Sequence, residues 1–233
     1  PGRELGRVAW FNDLHFAEKV AGLAISNPNM PRGGFPPGFP VDPDHPYWRF
    51  MSRNAVAEAK ARGMTLLLAN GDLTNEAEPS GLEECRATLD VFGTIGGPTA
   101  RSSPGRADLR PGDSPAYFVT RGNHDRAHQG ETWATCSPIG QEDLRDCFSD
   151  VFTSSWEPGS THFSVTIGDD SARYRFVGLD SNDGAATGVL RPGELEYLEQ
   201  ELQRGDVTIP LFHHPASDLA GATQIPPFGG LVA

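Results

Sequence analysis

Apolar and polar positions alternate along this chain in blocks that predict strands and helices in turn. Apolar segments of strand length occupy residues 7–11, 64–69, 116–120, 162–167, 173–180 and 207–212. Apolar residues at helical spacing predict helices over residues 47–62, 83–95 and 142–148, and another from Pro192 to Gly205. Because strands and helices alternate and a β-hairpin comes late in the order, the pattern predicts a layered α/β domain with two sheets.

Segments rich in Pro and Gly separate these elements. Residues 22–46 are predicted to form a long loop, since Pro lacks a backbone donor and Gly adds chain entropy. Residues 96–115 are also predicted to be a loop, residues 126–160 are largely irregular, and residues 216–233 form a loop-like tail. The length favours one domain over residues 1–233.

The charge balance narrows the range of partners. With 31 acidic and 19 basic residues the net charge is −12, which makes broad nucleic-acid binding unlikely to be the function of this chain. Phosphate chemistry stays open, because divalent ions in a cleft can invert the local field. No segment approaches the roughly 20 apolar residues of a membrane span, and the composition gives no indication of the oligomeric state.

The three cysteines, Cys85, Cys136 and Cys147, contain no CxxC pair, which argues against the common thiolate zinc sites. They are either three unrelated thiols or include a Cys136–Cys147 disulfide. Together with a start at Pro1 and only two lysines, a disulfide would favour an exported protein over a cytoplasmic one.

Four polar clusters stand directly after predicted strands: Asp13-Leu14-His15, Gly71-Asp72-Leu73-Thr74-Asn75, Gly122-Asn123-His124-Asp125 and His213-His214-Pro215. Each cluster alone has a structural explanation as a turn or a helix cap. Because the carboxyl ends of strands in α/β sheets converge on one edge, we expect the four clusters to meet in one crevice.

The side chains in these clusters are suited to metal binding. Asp13 and His15 are two residues apart, so both lie on one side of an extended segment. The two oxygens of Asp72 could bridge a pair of ions about 3.5–4 Å apart. Oxygen and nitrogen ligands without sulfur suit Mn, Fe, Zn or Co. The candidate ligands are Asp13, His15, Asp72, Asn123 and either His213 or His214.

The series DxH, GDxxN, GNHD and HHP, spread over about residues 7–215, resembles the calcineurin-like metallophosphoesterase superfamily. The resemblance implies an α-β-β-α sandwich of two mixed sheets flanked by helices. It also implies a hydrolase with a dinuclear metal centre, a phosphatase or phosphodiesterase in which a metal-bound hydroxide attacks a phosphoester, here of a small molecule.

The resemblance also assigns roles to single residues. Asp13 and His15 would bind the first metal ion, Asp72 would bridge, and Asn123 and His213 would bind the second. His213 is preferred to His214 because the family's ligand precedes Pro by two positions. His124 would be the catalytic histidine and Asp125 its partner.

The chain departs from the family pattern in two places. It has no GHxH motif, so we expect a domain that is incomplete at its C-terminal end, with the last motif beyond Ala233 or missing. Asn75 stands where purple acid phosphatases have a Tyr ligand, so an iron–phenolate pair is not expected.

The missing GHxH also supports a rival hypothesis, a non-catalytic binding module of the same fold that lacks a complete metal site. The concentration of polar groups at the strand ends argues against it. The loops at residues 22–46 and 101–110 are candidates for substrate contact, with solvated decoration as the alternative.

Overall fold

Two β-sheets flanked by four helices make up the protein. The computed structural model describes residues 4–16, 47–74, 77, 79–98, 102–125, 127–128, 144–145, 147–182 and 188–215. Statements about structure below concern these residues.

The first sheet contains four strands, all parallel to their neighbours. They are β1 (Val8–Phe11), β2 (Leu66–Asn70), β3 (Thr94–Ile95) and β6 (Ala116–Thr120), in the order β1-β2-β6-β3. Every residue of β2 and β6 is buried, as expected for central strands that are covered on both faces.

The second sheet contains five strands and is mixed. They are β4 (Ser102–Ser103), β5 (Arg106–Leu109), β9 (Phe163–Asp169), β10 (Ala172–Gly178) and β11 (Val207–Leu211), in the order β11-β10-β9-β5-β4. The β10 strand runs parallel to β11 and antiparallel to β9. The short strands β7 (Ala127–His128) and β8 (Leu144–Arg145) pair separately.

The helices are α1 (Tyr47–Ala61), α2 (Pro79–Asp90), α3 (Cys147–Phe152) and α4 (Pro192–Leu202), and a 3-10 turn follows α3 at Thr153–Ser155. The main apolar core includes buried residues of both sheets. Across it the rings of Phe118 and Phe163 lie 4.9 Å apart. Leu198 of α4 packs in a smaller cluster with Val177 of β10 and with Leu179, which follows that strand.

The predicted two-sheet α/β sandwich is confirmed, with the first sheet parallel throughout its described strands rather than mixed. Among the described residues, no helix combines the length and apolar content of a membrane span. Residues 22–46 and 216–233, predicted as a loop and a loop-like tail, lie outside the described residues.

Three element predictions were wrong in part. The helix predicted over residues 83–95 begins at Pro79 and ends at Asp90, and Thr94–Ile95 forms strand β3 instead. The predicted helix at residues 142–148 is observed as α3, which begins at Cys147.

Residues 96–115, predicted as a loop, contain β4 and β5. β5 was missed because only Ala107 and Leu109 of its four residues are apolar. So short an alternation of apolar and polar residues, next to Pro and Gly, does not distinguish a strand from a loop.

The cysteines differ in state. Cys147 is disulfide-bonded, and Cys85 is a buried free thiol on α2. The predicted partner, Cys136, lies outside the described residues.

Candidate metal centre

The predicted site residues follow strands that end at one edge of each sheet. In the first sheet, β1, β2 and β6 are parallel, and they are followed by Asp13, Asp72 and Asn123. In the second sheet, β11 is followed by His213 and runs parallel to β10. The candidate centre therefore lies where the carboxyl edges of two sheets meet.

The first two motif loops run side by side. The Asp13 N–H donates to the Gly71 carbonyl at 3.2 Å, and the His15 N–H donates to the Asp72 carbonyl at 3.0 Å. Beyond them, Phe16 and Thr74 form a parallel bridge. These bonds extend the β1–β2 pairing past the strand ends and hold the two loops in register.

Backbone strain concentrates at the predicted ligands. Asp13, His15 and Asp72 have φ angles of 54°, 46° and 49°, in the left-handed region that residues with a Cβ rarely adopt. Each such conformation costs on the order of 1–3 kcal/mol. Strain of this kind persists where the surrounding structure enforces it, and it is common at functional sites.

Three ionisable side chains converge at the centre. Ligand atoms of Asp13, Asp72 and His213 all lie within 4.8 Å of one another. His213 Nε2 is 3.2 Å from Asp72 Oδ2 and 3.2 Å from Asn123 Oδ1. The structure thus brings together four of the five residues predicted to hold the metals.

The two ring nitrogens of His213 face different groups. His213 Nδ1 lies 3.2 Å from the backbone carbonyl of Asn70, which only accepts hydrogen bonds. Both ring nitrogens of His213 therefore face acceptors, since Nε2 lies 3.2 Å from Asp72 Oδ2 and from Asn123 Oδ1. A metal ion at Nε2 would take the place of a proton there, while Nδ1–H would still donate to Asn70.

Asp72 and His213 shift each other's titration. Burial tends to raise the pKa of Asp72, but its hydrogen bonds with His213 and the His124 N–H outweigh burial and lower the pKa. Burial also opposes protonation of His213, yet the Asp72 carboxylate prevails and raises the pKa of His213 to about 9. In the metal-free chain the two side chains therefore form an ion pair, and a metal ion bound at His213 would displace its proton.

His15 and His124 lie beside this cluster. Their ring centroids are 5.2 Å apart, in an edge-to-face arrangement. His15 Nδ1 is buried and has no hydrogen-bond partner among the described residues. His124 is exposed, and its backbone N–H donates to Asp72 Oδ1 at 2.9 Å. The imidazole of His124 is thus at the rim of the centre while its backbone is tied to Asp72.

Asp125 is fully buried and bonds to two motif loops. Oδ1 accepts from the N–H and the hydroxyl of Thr74, both at 2.9 Å. Oδ2 accepts from the N–H groups of Leu73 at 3.2 Å and Gly122 at 2.9 Å. Burial, reinforced by the charge of Asp72, raises the pKa of Asp125 to about 6. These contacts hold the GDLTN loop against the GNHD loop.

Glycine is required at two motif positions because side chains or backbone of the candidate ligands lie very close to them. A Cβ on Gly122 would lie 2.1 Å from Asp72 Oδ1 and 2.2 Å from Asp72 N. Gly71 has a φ of 80°, and a Cβ there would lie 2.6 Å from the His213 side chain. Larger residues at either position would displace the ligands themselves.

His214 lies beside the ligand cluster, with its ring centroid 5.1 Å from that of His213, and its ring nitrogens are not part of the cluster. It is buried, and its Nδ1 is 2.9 Å from the hydroxyl of Ser181, which follows β10. A Cβ on Gly188 would lie 2.6 Å from the His214 side chain. Of the two candidate histidines, only His213 has its ring among Asp13, Asp72 and Asn123.

Two positioning residues were missed by sequence reasoning. Asn70 donates to the Phe212 carbonyl at 3.1 Å and accepts from the Thr120 hydroxyl at 2.9 Å. Asn182 is fully buried and donates to the Gly122 carbonyl at 2.5 Å. Each links the carboxyl edges of the two sheets. The available signal was a polar residue at the end of an apolar run, LLLAN in one case and VGLDSN in the other.

The arginine-bearing loop predicted to contact substrate lies elsewhere. Arg110 follows β5, which is parallel to β9 and therefore antiparallel to β10. It lies at the opposite edge of the second sheet from His213, where it pairs with Asp108 at 3.1 Å and Asp170 at 2.9 Å. The residues at 22–46 and at 101, also candidates, are outside the described residues.

A solved structure of a dimetal phosphatase from Danio rerio has a similar fold. The two share 12% sequence identity with a TM-score of 0.53, over 92% of this chain and 71% of that chain. At this identity the likeness shows the fold alone. No family model matches the chain, and no curated protein matches it.

Proposed function

We propose that this chain is a metal-dependent phosphoesterase that hydrolyses small-molecule phosphomonoesters or phosphodiesters at a dinuclear centre. The observation that carries the proposal is the convergence of Asp13, Asp72 and His213, with ligand atoms within 4.8 Å of one another. The fold that the chain shares with a dimetal phosphatase supports the same reaction class.

The residues present fit a pair of metal ions. Asp72 has two carboxylate oxygens, and its ligand atom lies within 4.8 Å of those of Asp13 and His213, so it is suited to bridging. The buried Nδ1 of His15 has no hydrogen-bond partner among the described residues, as expected for an atom reserved for a metal. Asn123 adds a neutral oxygen next to His213 Nε2. This mixture of oxygen and nitrogen donors suits Mn, Fe, Zn or Co.

When bound, the two ions would supply Lewis-acid polarisation of the phosphoryl group and a nucleophilic water of lowered pKa. Asp13 and His15 would hold the first ion, and Asn123 and His213 the second. The exposed imidazole of His124 would approach the substrate and donate a proton to the leaving oxygen. Asp125 would act through position, because its carboxylate holds the loops that carry Asp72 and His124.

We further propose an exported location, which the disulfide at Cys147 supports because structural disulfides are rare in reducing compartments.

The rival function is a non-catalytic binding module. It is favoured by the absence of a GHxH motif from residues 1–233, where the predicted ligands of the first ion are Asp13, His15 and Asp72. An open three-ligand site can still support catalysis, but with weaker metal affinity.

Hydrolysis assays distinguish the two functions. We expect the full chain with added Mn²⁺ to hydrolyse an aryl phosphate monoester or diester, and the chelated chain to be inactive toward both. Preference for one ester then defines the substrate class. An Asp170→Ala variant, changed at an exposed loop position, serves as the matched control and should retain full activity. Binding of Mn²⁺ without turnover of either ester would support the binding module instead.

A further inference from the structure

A polar cavity that is separate from the candidate metal centre lies on the second sheet, on the face away from the main core. Its volume is about 410 Å³, within the range of small-molecule sites. Phe163, Val165 and Ile167 of β9 point into the core, so the alternate residues Ser164 and Thr166 point to the opposite face and into this cavity.

Four arginines line the cavity: Arg106, Arg173, Arg175 and Arg204. The rest of the described lining consists of four hydroxyl-bearing residues, a single carboxylate, Asp108, and Ala107. The other carboxylates that pair with these arginines, Glu157, Glu201 and Asp206, are not among the described lining residues. Four carboxylates balance the charge of the four arginines, but the groups that line the cavity are mainly hydrogen-bond donors.

The guanidinium donors at the cavity exceed the acceptor positions of the carboxylates that pair with them, and Glu201 shows how fully those positions are used. This fully buried carboxylate accepts from Arg106 at 2.9 Å, Arg175 at 2.7 Å and the Ser164 hydroxyl at 2.9 Å, and pairs with Arg204 at 3.1 Å. A carboxylate offers about four lone-pair positions, whereas each guanidinium has five N–H donors. The four guanidiniums together carry about twenty N–H donors, against about sixteen lone-pair positions on the four carboxylates that pair with them, so some donors are left for a ligand.

Arg173 and Arg175 have the clearest surplus. The ion pairs of Arg173 with Asp108 and Asp206 are loose, at 3.4 and 3.7 Å. Arg175 is buried, with its side chain 8% exposed, and its Nε has no hydrogen-bond partner among the described residues. Burying a hydrogen-bond donor without an acceptor costs free energy, so most buried donors in proteins have a partner.

We propose that this cavity binds a small molecule through an oxyanion group, a phosphate or a carboxylate. Guanidinium groups recognise both by paired, charge-assisted hydrogen bonds. The volume exceeds that of a single oxyanion, and hydroxyls such as those of Ser103 and Thr166 would contact the rest of the ligand. The site does not depend on the proposed metal centre, because His213 lies at the carboxyl end of β11 and Arg173 lies near the start of β10.

The test is binding of inorganic phosphate, pyrophosphate and citrate by calorimetry to the full chain, first stripped of metal with EDTA and then dialysed into metal-free buffer. Phosphate then cannot bind through a metal ion, and the carboxylates of EDTA cannot compete for the cavity. Arg173→Gln and Arg204→Gln each remove one partly exposed guanidinium. Ser103→Glu places a carboxylate on the exposed lining residue and leaves every ion pair intact. Arg62→Gln, an exposed arginine on the first turn after α1, is the matched control.

We expect measurable binding of at least one of the three oxyanions to the wild-type chain and to Arg62→Gln. Affinity should fall roughly tenfold or more in Arg173→Gln and Arg204→Gln, since hydrogen bonds to charged groups are worth about that much. Ser103→Glu should abolish binding. Comparison of the three affinities identifies the oxyanion class: tighter binding of phosphate or pyrophosphate indicates a phosphate site, and tighter binding of citrate a carboxylate site. Absence of binding by the wild-type chain, or equal binding by all four variants, would overturn the proposal.

Discussion

Replacing Asp125 by Ala tests whether the candidate centre is held together by this single buried carboxylate. The substitution removes the acceptor for the N–H groups of Leu73, Thr74 and Gly122 and for the Thr74 hydroxyl. The Ala side chain offers no acceptor in return, and the position is fully buried.

The size of the effect follows from the three backbone donors left without a partner. Each buried, unsatisfied donor costs about 1–3 kcal/mol, and the losses do not add fully because the loops can relax. We expect Asp125→Ala to lower the free energy of unfolding by about 3–5 kcal/mol, a large part of the ~5–15 kcal/mol of a typical domain. Asp125→Asn keeps one oxygen for Thr74 and should lose less.

Urea denaturation of the chelated chain measures this loss without any contribution from bound metal. Asp170→Ala is the control: this carboxylate is 98% exposed, and its removal should change the free energy of unfolding by less than about 0.5 kcal/mol. If Asp125→Ala unfolds at the same urea concentration as the control while hydrolysis is lost, Asp125 takes part in the chemistry beside His124 and the positioning role is refuted.

Three further predictions concern the centre. Asp72→Ala should abolish Mn²⁺-dependent hydrolysis, because the proposed bridge contacts both ions; unchanged turnover would contradict a two-metal site. His124→Ala should lower turnover by about 10²–10⁴-fold, the usual worth of a general acid, with most of the metal retained; parallel loss of bound metal would instead make His124 a ligand. The pKa of His213 is raised to about 9, so the chelated folded chain holds a proton there that the unfolded chain releases near 6.5. The resulting stabilisation, up to ~3 kcal/mol, is present below pH 6.5 and is lost as the pH rises through 9. His213→Gln should remove this pH dependence in denaturation experiments, and an unchanged profile would exclude His213 as its source.

The parts of the fold that the sequence predicted best are those with strong local patterns. Residues 66–70 and 116–120 are buried throughout, and their runs of apolar residues predict central strands. The polar clusters after these strands contain Gly71 and Gly122, which were visible in the sequence. The parallel topology then brings Asp13, Asp72 and Asn123 to one edge without further information.

The parts that were missed depend on contacts between segments far apart in the chain. Asn70 and Asn182 resemble ordinary strand-end residues, and their role arises only when Phe212 and Gly122 lie opposite them. Strand β5 was missed because Arg106 and Asp108 alternate with small apolar residues in a short segment next to Gly and Pro. Its one arginine, Arg106, pairs with Glu201 of α4, and no local pattern predicts that partner.

The centre unites two sheets that the sequence pattern alone treats as separate units. The first sheet provides Asp13, Asp72 and Asn123, whereas His213 comes from the second. Asn70 connects the two sheets at this edge. Its side-chain amide donates to the carbonyl of Phe212, and its backbone carbonyl lies against the Nδ1 atom of His213 and orients that ring. Because the ligands are divided in this way, an ion bound between Asp72 and His213 would also hold the two sheets together. Metal affinity and the packing of the sheets are therefore linked, and a change that loosens one should weaken the other.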